Sequence, residues 1–109
     1  MGVSLVVTSL LYYNIGEEAK KEYAMPTEYE KMIAGDFYKP SDPELRALAA
    51  SSREKQWAFN SEPDRLKRAE IVKSWFGSTG ENVAMNPQFV TDYGVNIHIG
   101  ENFYSNWNL

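Results

Sequence analysis

The chain has 109 residues, of which 24% are charged, and it carries a formal net charge of −4 and no cysteine. This length holds one domain, or a small domain plus part of another. The acidic balance argues against nucleic-acid binding, which needs a basic patch to neutralise phosphates. The absence of cysteine excludes disulfides and agrees with a reducing compartment, so we expect a cytoplasmic location. With a single histidine in the chain, a histidine-rich metal site is excluded.

Residues 3–13 (VSLVVTSLLYY) form the one long apolar run. The run is about half as long as a membrane span requires. It also lacks the basic start and the small-residue cleavage site of a signal peptide. We therefore expect no membrane partner, and we interpret residues 1–25 as an atypical N-terminal extension, with a short strand as the alternative for the apolar run.

Residues 26–80 contain the start signals of three helices. Thr27 followed by Glu30 is the capping-box pattern, and Gly35 can supply the left-handed residue that ends this first helix. Asp42 directly before Pro43 predicts the second helix start, with the aspartate as N-cap.

The second helix has an interrupted apolar face. Leu45, Leu48 and Phe59 lie on it, but Ser52 and Gln56 contribute little apolar area between them.

The third helix is predicted to start at residues 61–64 (SEPD), with the proline in its first turn, and to end at Gly77. One face of this helix is expected to carry Arg65, Ala69, Val72 and Phe76.

After residue 80 the apolar period changes from about 3.6 to about 2, which predicts β structure. Val95, Ile97 and Ile99 alternate with polar residues, residues 100–102 are interpreted as a turn, and the alternation resumes towards Leu109. Ile99-Gly100 and the four positions after it have the form of one hexapeptide repeat, a unit of coiled β architectures.

A rung of such a coil without a successor has an open edge and an open apolar face. We therefore expect exposed apolar side chains in this region and self-association of the chain. The side chains expected to be exposed are Ile97, Ile99, Phe103 and Leu109.

Three polar residues of the C-terminal part are candidates for chemistry. Asp92, before Tyr-Gly, is either a turn former or a ligand of a substrate. Asn106, between serine and tryptophan, is either a polar strand residue or a group that binds a sugar hydroxyl. His98 lies between two isoleucines, which predicts a surface strand residue rather than a catalyst.

A metal site could only be built from carboxylates. The acidic group formed by Asp36, Asp42 and Glu44 is the one candidate, but capping already explains Asp42, so we expect no metal. The sequence has no glycine-rich phosphate loop, no G-x-S-x-G and no H-E-x-x-H.

Five segments together resemble the N-terminal portion of the maltose/galactoside O-acetyltransferases, and the resemblance is collinear from residue 25 to residue 109. The segments are MPTEYEKMIAGDFY (25–38), DPEL (42–45), KRAEI (67–71), WFGS (75–78) and DYGVNIHIGENFYSN (92–106). The resemblance implies an α+β fold: a helical maltose acetyltransferase domain at 26–80, then the first strands of a left-handed parallel β-helix of hexapeptide repeats at 81–109, truncated.

The same resemblance implies an enzyme that transfers an acetyl group from acetyl-CoA to a sugar hydroxyl and works as a trimer. Its catalytic histidine, the general base, lies in a Gly-His-Pro setting that this sequence lacks, and His98 does not match that position. The coils that form the CoA groove are also missing. We therefore expect no catalytic residue in this chain and no activity of the chain alone.

Part of the sugar acceptor site can be carried over from the family. Asp92 and Asn106 match acceptor-contacting positions, and Asp42 with Tyr38 lies in the helical-domain loop that lines the same site. Ser105 stands where the family has alanine in Phe-Tyr-Ala-Asn. The aromatic residues Phe103, Tyr104 and Trp107 are expected to wall the pocket.

Two alternatives to the enzyme stay open. In the first, the chain has no catalytic role: it is a truncated relic, or a module that binds sugar, forms a homotrimer or associates with a full-length relative. In the second, the chain is a small aromatic-rich carbohydrate binder with chance similarity to the family.

Overall fold

The computed structural model describes residues 25–109, so the expected extension before residue 25 lies outside the described part. In chain order the elements are α1 (Glu28–Ala34), α2 (Pro43–Ser61), α3 (Arg65–Trp75), β1 (Val83–Met85), a 3₁₀ turn (Gly94–Asn96) and β2 (Phe103–Ser105). None of these helices is long and apolar enough to cross a membrane.

The chain divides into two compact units, Met1–Leu45 and Arg46–Leu109. The expected domain boundaries at residues 25 and 80 remain a prediction.

In the first unit, α1 is capped at both ends as predicted. Thr27 Oγ1 accepts a hydrogen bond from Glu30 N, and Glu30 Oε1 accepts one from Thr27 N, which completes the capping box. Gly35 ends the helix in the left-handed conformation, with φ at 83°. Seven residues cannot hold a helix by propensity alone, so these caps are what defines α1.

The Glu28 side chain links α1 to the loop that follows it through hydrogen bonds. Its carboxylate accepts hydrogen bonds from Lys31 Nζ at 2.9 Å and from the backbone N–H of Lys39 at 2.6 Å. The hydrogen bond from the Lys31 side chain, followed by that from Lys39, lowers the pKa of Glu28. The first unit also contains the start of α2, where Asp42 Oδ2 accepts from Glu44 N at 3.0 Å, as the N-cap prediction requires.

The second unit has a buried aromatic core. Trp75 lies at its centre, with ring centroids 6.1 Å from Phe59, 5.5 Å from Phe76 and 5.7 Å from Phe89. Tilted and edge-on contacts at these separations are the favourable geometries for aromatic pairs. The buried cluster consists of Phe59, Val72, Trp75, Phe76, Val83 and Met85.

The third helix starts later than predicted. Asp64 is its N-cap, accepting from Leu66 N at 2.8 Å and from Lys67 N at 3.2 Å, so Pro63 precedes the cap instead of lying in the first turn. These two backbone hydrogen bonds lower the pKa of Asp64, that from Lys67 N first. The helix ends at Trp75, two residues before the expected end at Gly77.

Buried Arg68, rather than exposed Arg65, lies on the core side of α3. Its Nε donates to Met85 O at 3.0 Å, and one terminal nitrogen donates to Glu62 O at 2.9 Å and Pro63 O at 3.0 Å. The guanidinium therefore bonds α3 to β1 and to the α2–α3 connection through backbone carbonyls.

The β region consists of two stacked, parallel rungs. β1 pairs with β2 in the register Val83↔Phe103 to Met85↔Ser105. The same spacing recurs outside the strands, where Asn82 Nδ2 donates to Asn102 Oδ1 at 3.0 Å, 20 residues further along the chain. We call residues 77–88 and 97–108 the lower and upper rung.

The alternating segment at residues 95–99 is not a regular strand. Gly94–Asn96 form a 3₁₀ turn, and only His98 makes an isolated parallel bridge, to Ser78. The turn begins at Gly94, where a Cβ at this buried position would collide with the Trp75 ring.

The expected exposure of the apolar residues is wrong for three of the four. Ile97, Ile99 and Phe103 are half-buried against the core cluster, because the upper rung stacks on the lower one. Leu109 is 69% exposed, as predicted.

Candidate functional site

A polar stripe on α2 holds the segment that carries Asp92. Ser52, Gln56 and Asn60 are four residues apart and therefore share one face of the helix. Asn60 Nδ2 donates to Phe89 O at 2.9 Å, and its Oδ1 accepts from Phe89 N at 2.9 Å. Gln56 Oε1 accepts from Thr91 N at 3.0 Å. The stripe thus holds the backbone of Phe89 and Thr91 through side-chain hydrogen bonds.

Ser52 completes the stripe and is itself buried. Its hydroxyl donates to Thr91 O at 3.2 Å and accepts from Trp75 Nε1 at 2.9 Å and from Gly94 N at 3.4 Å. One donor and two acceptor positions are the full capacity of a serine hydroxyl. The residues that weaken the apolar pattern of α2 are thus the residues that fix residues 89–94, and their regular spacing of four was the signal for this role.

Asp92 lies on the wall of a cavity of about 370 Å³ in the second unit. This size is near the lower end of the range for ligand cavities, about 300–1,000 Å³. Asp92 is exposed, which agrees both with a turn former and with a ligand-binding residue. The cavity is lined by Ala49, Arg53, Gln56, Val90, Thr91 and Asp92.

Asn106 does not line this cavity. Its side chain is exposed, and its Oδ1 accepts from Trp107 N at 2.9 Å.

The other two candidates lie in the first unit. Tyr38 is 38% exposed, and the Asp42 carboxylate is engaged in capping α2.

Two of the aromatic residues expected to wall the acceptor pocket line a different cavity. Phe103 and Tyr104 lie on a cavity of about 570 Å³ between α3 and the rungs. Its charged lining is mixed, with Arg65, Lys67 and Lys73 against Glu70 and Glu81.

His98 is an exposed residue of the upper rung, as predicted. Its Nδ1 lies 2.8 Å from Ser78 Oγ, and no carboxylate of the described residues hydrogen-bonds to the ring. Residues 25–109 also contain no group of three or more acidic or histidine side chains that could hold a metal ion.

Comparison with known proteins identifies the family. The maltose acetyltransferase hexapeptide capping motif matches residues 31–80. The galactoside O-acetyltransferase of Escherichia coli K12 is 35% identical over 82 residues, which cover 73% of this chain and 40% of that protein. A Dictyostelium discoideum protein, provisionally named as an acetyltransferase, is 47% identical over 81 residues, or 74% of this chain and 43% of that protein.

Two solved structures share the fold. A hexapeptide-repeat-containing acetyltransferase of Vibrio cholerae, complexed with acetyl-CoA, matches with a TM-score of 0.68 and 26% identity over 76% of this chain and 45% of that one. A maltose O-acetyltransferase of Clostridium difficile matches with a TM-score of 0.56 and 31% identity over 72% of this chain and 43% of that one. The chain spans less than half the length of these relatives. It belongs to the maltose/galactoside O-acetyltransferase family of hexapeptide-repeat acyltransferases.

Proposed function

We propose that this chain supplies acceptor-binding residues of an acetyl-CoA-dependent sugar O-acetyltransferase. The observation that carries the proposal is the position of Asp92 on the wall of a ligand-sized cavity. The names of two similar proteins, a galactoside and a maltose O-acetyltransferase, support a sugar as the acceptor. We extend the proposal to Asn106, Asp42 and Tyr38 as further acceptor residues, and to a cytoplasmic location.

The architecture proposed for the second part of the chain is the beginning of a left-handed β-helix. The constant spacing of 20 residues between paired positions supports it, since a coil that returns above itself produces parallel, in-register contacts. A homotrimer is part of the same proposal, as is the division into a helical domain at 26–80 and a β domain from residue 81.

The 570 Å³ cavity does not fit the phosphates of acetyl-CoA. The cations that line the 570 Å³ cavity are exposed and face two glutamates, so they do not form the anion site that the CoA phosphates require. When bound, acetyl-CoA supplies the acetyl group to be transferred. We propose that acetyl-CoA does not bind in this cavity.

Asp92 would act on the acceptor as a hydrogen-bond acceptor. Its carboxylate can accept from one or two sugar hydroxyls and so orient the ring. Deprotonating the reacting hydroxyl needs a general base, and His98, the single histidine, is not among the residues that line the Asp92 cavity. We therefore propose that the 109-residue chain binds the acceptor without acetylating it.

Two measurements test this proposal on the purified chain. Titration with methyl β-galactoside or maltose, followed by ¹H–¹⁵N NMR, should shift the amide signals of residues 89–94. Asp92→Asn should weaken this binding, whereas Glu70→Gln on α3 serves as the matched control. CoA release from acetyl-CoA in the presence of either sugar should stay at the buffer rate. If Asp92→Asn binds the sugar as tightly as the wild type does, Asp92 is not an acceptor-binding residue.

A non-catalytic module is the second candidate function, favoured by the lack of a free histidine at the Asp92 cavity. In this case the chain would associate with a full-length family member. Mixing the labelled chain with such a protein should then produce a mixed oligomer by size-exclusion chromatography, and separate elution would contradict it.

A further inference from the structure

The cavity beside Asp92 has a second charged wall, formed by α2. Arg53 lies on this wall, and its side chain is exposed. It follows Ser52 directly and precedes Gln56 by three residues, and both of these hydrogen-bond to the segment that carries Asp92. The backbone positions of Arg53 and Asp92 are therefore held relative to each other by the α2 stripe.

The two opposite charges are available to a ligand. Within the described part of the chain, neither Arg53 nor Asp92 makes a hydrogen bond or an ion pair with another side chain, although both line one cavity. Exposed charges that do not pair with each other keep their hydrogen-bonding capacity for a third group. Gln56 adds an amide nitrogen, since only its Oε1 is used by Thr91 N.

We propose that Arg53 is a further acceptor-binding residue, and that its charge beside that of Asp92 makes the cavity prefer neutral over acidic sugars. The inference rests on the proposed function and adds a residue and its selectivity to it. A hydroxyl is both donor and acceptor, so neighbouring hydroxyls can donate to Asp92 and accept from Arg53.

The charge and size of the cavity select against other ligands. Arg53 and Asp92 together carry no net charge, and an anionic substituent drawn to Arg53 would be repelled by the Asp92 carboxylate. The volume of about 370 Å³ suits one ring better than an extended oligosaccharide. The apolar side chains of Ala49 and Val90 offer contact to the C–H face of such a ring.

NMR titration of the full 109-residue chain tests the inference, with methyl β-galactoside as the neutral probe and galacturonate as the acidic one. Arg53→Met removes the donors but keeps an unbranched apolar stem and a high helix propensity. We expect it to raise the Kd for methyl β-galactoside about tenfold, because hydrogen bonds to charged groups are the stronger class. Arg53→Lys should recover part of the affinity. Arg46→Met, two turns earlier on α2 and exposed, is the matched control and should bind as the wild type does.

The outcomes separate the inference from the proposed function. If the wild type binds the galactoside, Asp92→Asn weakens binding and Arg53→Met does not, the role of Arg53 is wrong and the proposed function stands. If galacturonate binds more tightly than methyl β-galactoside, the preference for neutral sugars is wrong. If the wild type binds neither methyl β-galactoside nor maltose, both the inference and the proposed acceptor site fall.

Discussion

Asn60 satisfies both backbone polar groups of Phe89, a residue 29 positions further along the chain, through two hydrogen bonds of 2.9 Å. An asparagine amide carries a donor and an acceptor side by side, which matches the N–H and C=O of one extended residue. This contact anchors the start of the segment that leads to Asp92.

Replacing Asn60 should loosen that segment and destabilise the second unit. Asn60→Ala leaves a part-buried N–H and C=O of Phe89 without their partner, so we expect a loss of about 2 kcal/mol in the free energy of unfolding. Urea denaturation followed by tryptophan fluorescence measures it. Ser61→Ala, one residue further at the exposed end of α2, is the control and should change stability by less than about 0.5 kcal/mol.

Arg68 should be irreplaceable by lysine. An ammonium group cannot reproduce the planar set of donors that reaches Met85 O, Glu62 O and Pro63 O. We expect Arg68→Lys to cost about 3 kcal/mol of unfolding free energy, because one buried and two part-buried carbonyls lose their partners. The exposed Arg65→Lys is the matched control on the same helix. Equal urea midpoints for the two variants would show that the Arg68 hydrogen bonds add no stability.

Gly94 should not tolerate a side chain. A Cβ at this position would overlap Cδ1 and Nε1 of the Trp75 ring. Gly94→Ala should therefore displace the ring, break its hydrogen bond to Ser52 and cost about 1–3 kcal/mol. Near-ultraviolet circular dichroism reports the change in the tryptophan environment. Gly100→Ala, where no atom lies within 4 Å of the added Cβ, is the control and should keep the wild-type spectrum.

Replacing Ser105 with alanine should not lower the thermal stability of the chain. Its Oγ is buried and has no hydrogen-bond partner among the described residues. A buried hydroxyl without a partner is destabilising, so Ser105→Ala should raise the melting temperature or leave it unchanged. Calorimetry on both proteins at one concentration decides this, and a clear drop in melting temperature would show that the hydroxyl has a partner that the structure does not contain.

Acid should weaken the cap of α3. The lowered pKa of Asp64 means that the folded chain holds its proton less tightly than the unfolded chain does. Its contribution to stability is therefore present above the unfolded pKa, near 4, and is lost as the pH falls through the lower folded value. Asn remains a good N-cap but does not titrate.

We thus expect the melting temperature of the wild type to fall more between pH 7 and pH 3 than that of Asp64→Asn. Ionisable groups other than Asp64 are common to both proteins, so the difference isolates the cap. Parallel curves over this range would contradict the linkage.

Local features of the sequence predicted local structure. The capping box at Thr27 and the N-cap at Asp42 were predictable because donor and acceptor lie within three residues of each other. The start of α3 was misplaced because Pro63 and Asp64 are both helix-start residues, and the two backbone hydrogen bonds to Asp64 decide between them.

Contacts between distant residues were not predictable in the same way. Ser52 and Gln56 appear in the sequence only as breaks in an apolar stripe, and their partners lie 23 to 42 residues away. The exposed position of Asp92 agrees with a ligand-binding role, but its cavity partner Arg53 belongs to no motif. Arg68 was missed because charged residues are expected on the outer face of a helix.

The constant spacing of the two rungs has a consequence for the length of the chain between them. Each paired residue of the lower rung has its partner 20 positions further along the chain, as Asn82 has Asn102. Removing one residue from the segment 89–94 would either pull Asp92 from the α2 stripe or shift every rung pair at once and turn alternate side chains to the opposite face. A substitution that leaves Gly94 and the core contact of Phe89 intact is thus a local matter, whereas a one-residue insertion or deletion affects the whole second unit. We therefore expect functional variants to keep the length of this loop.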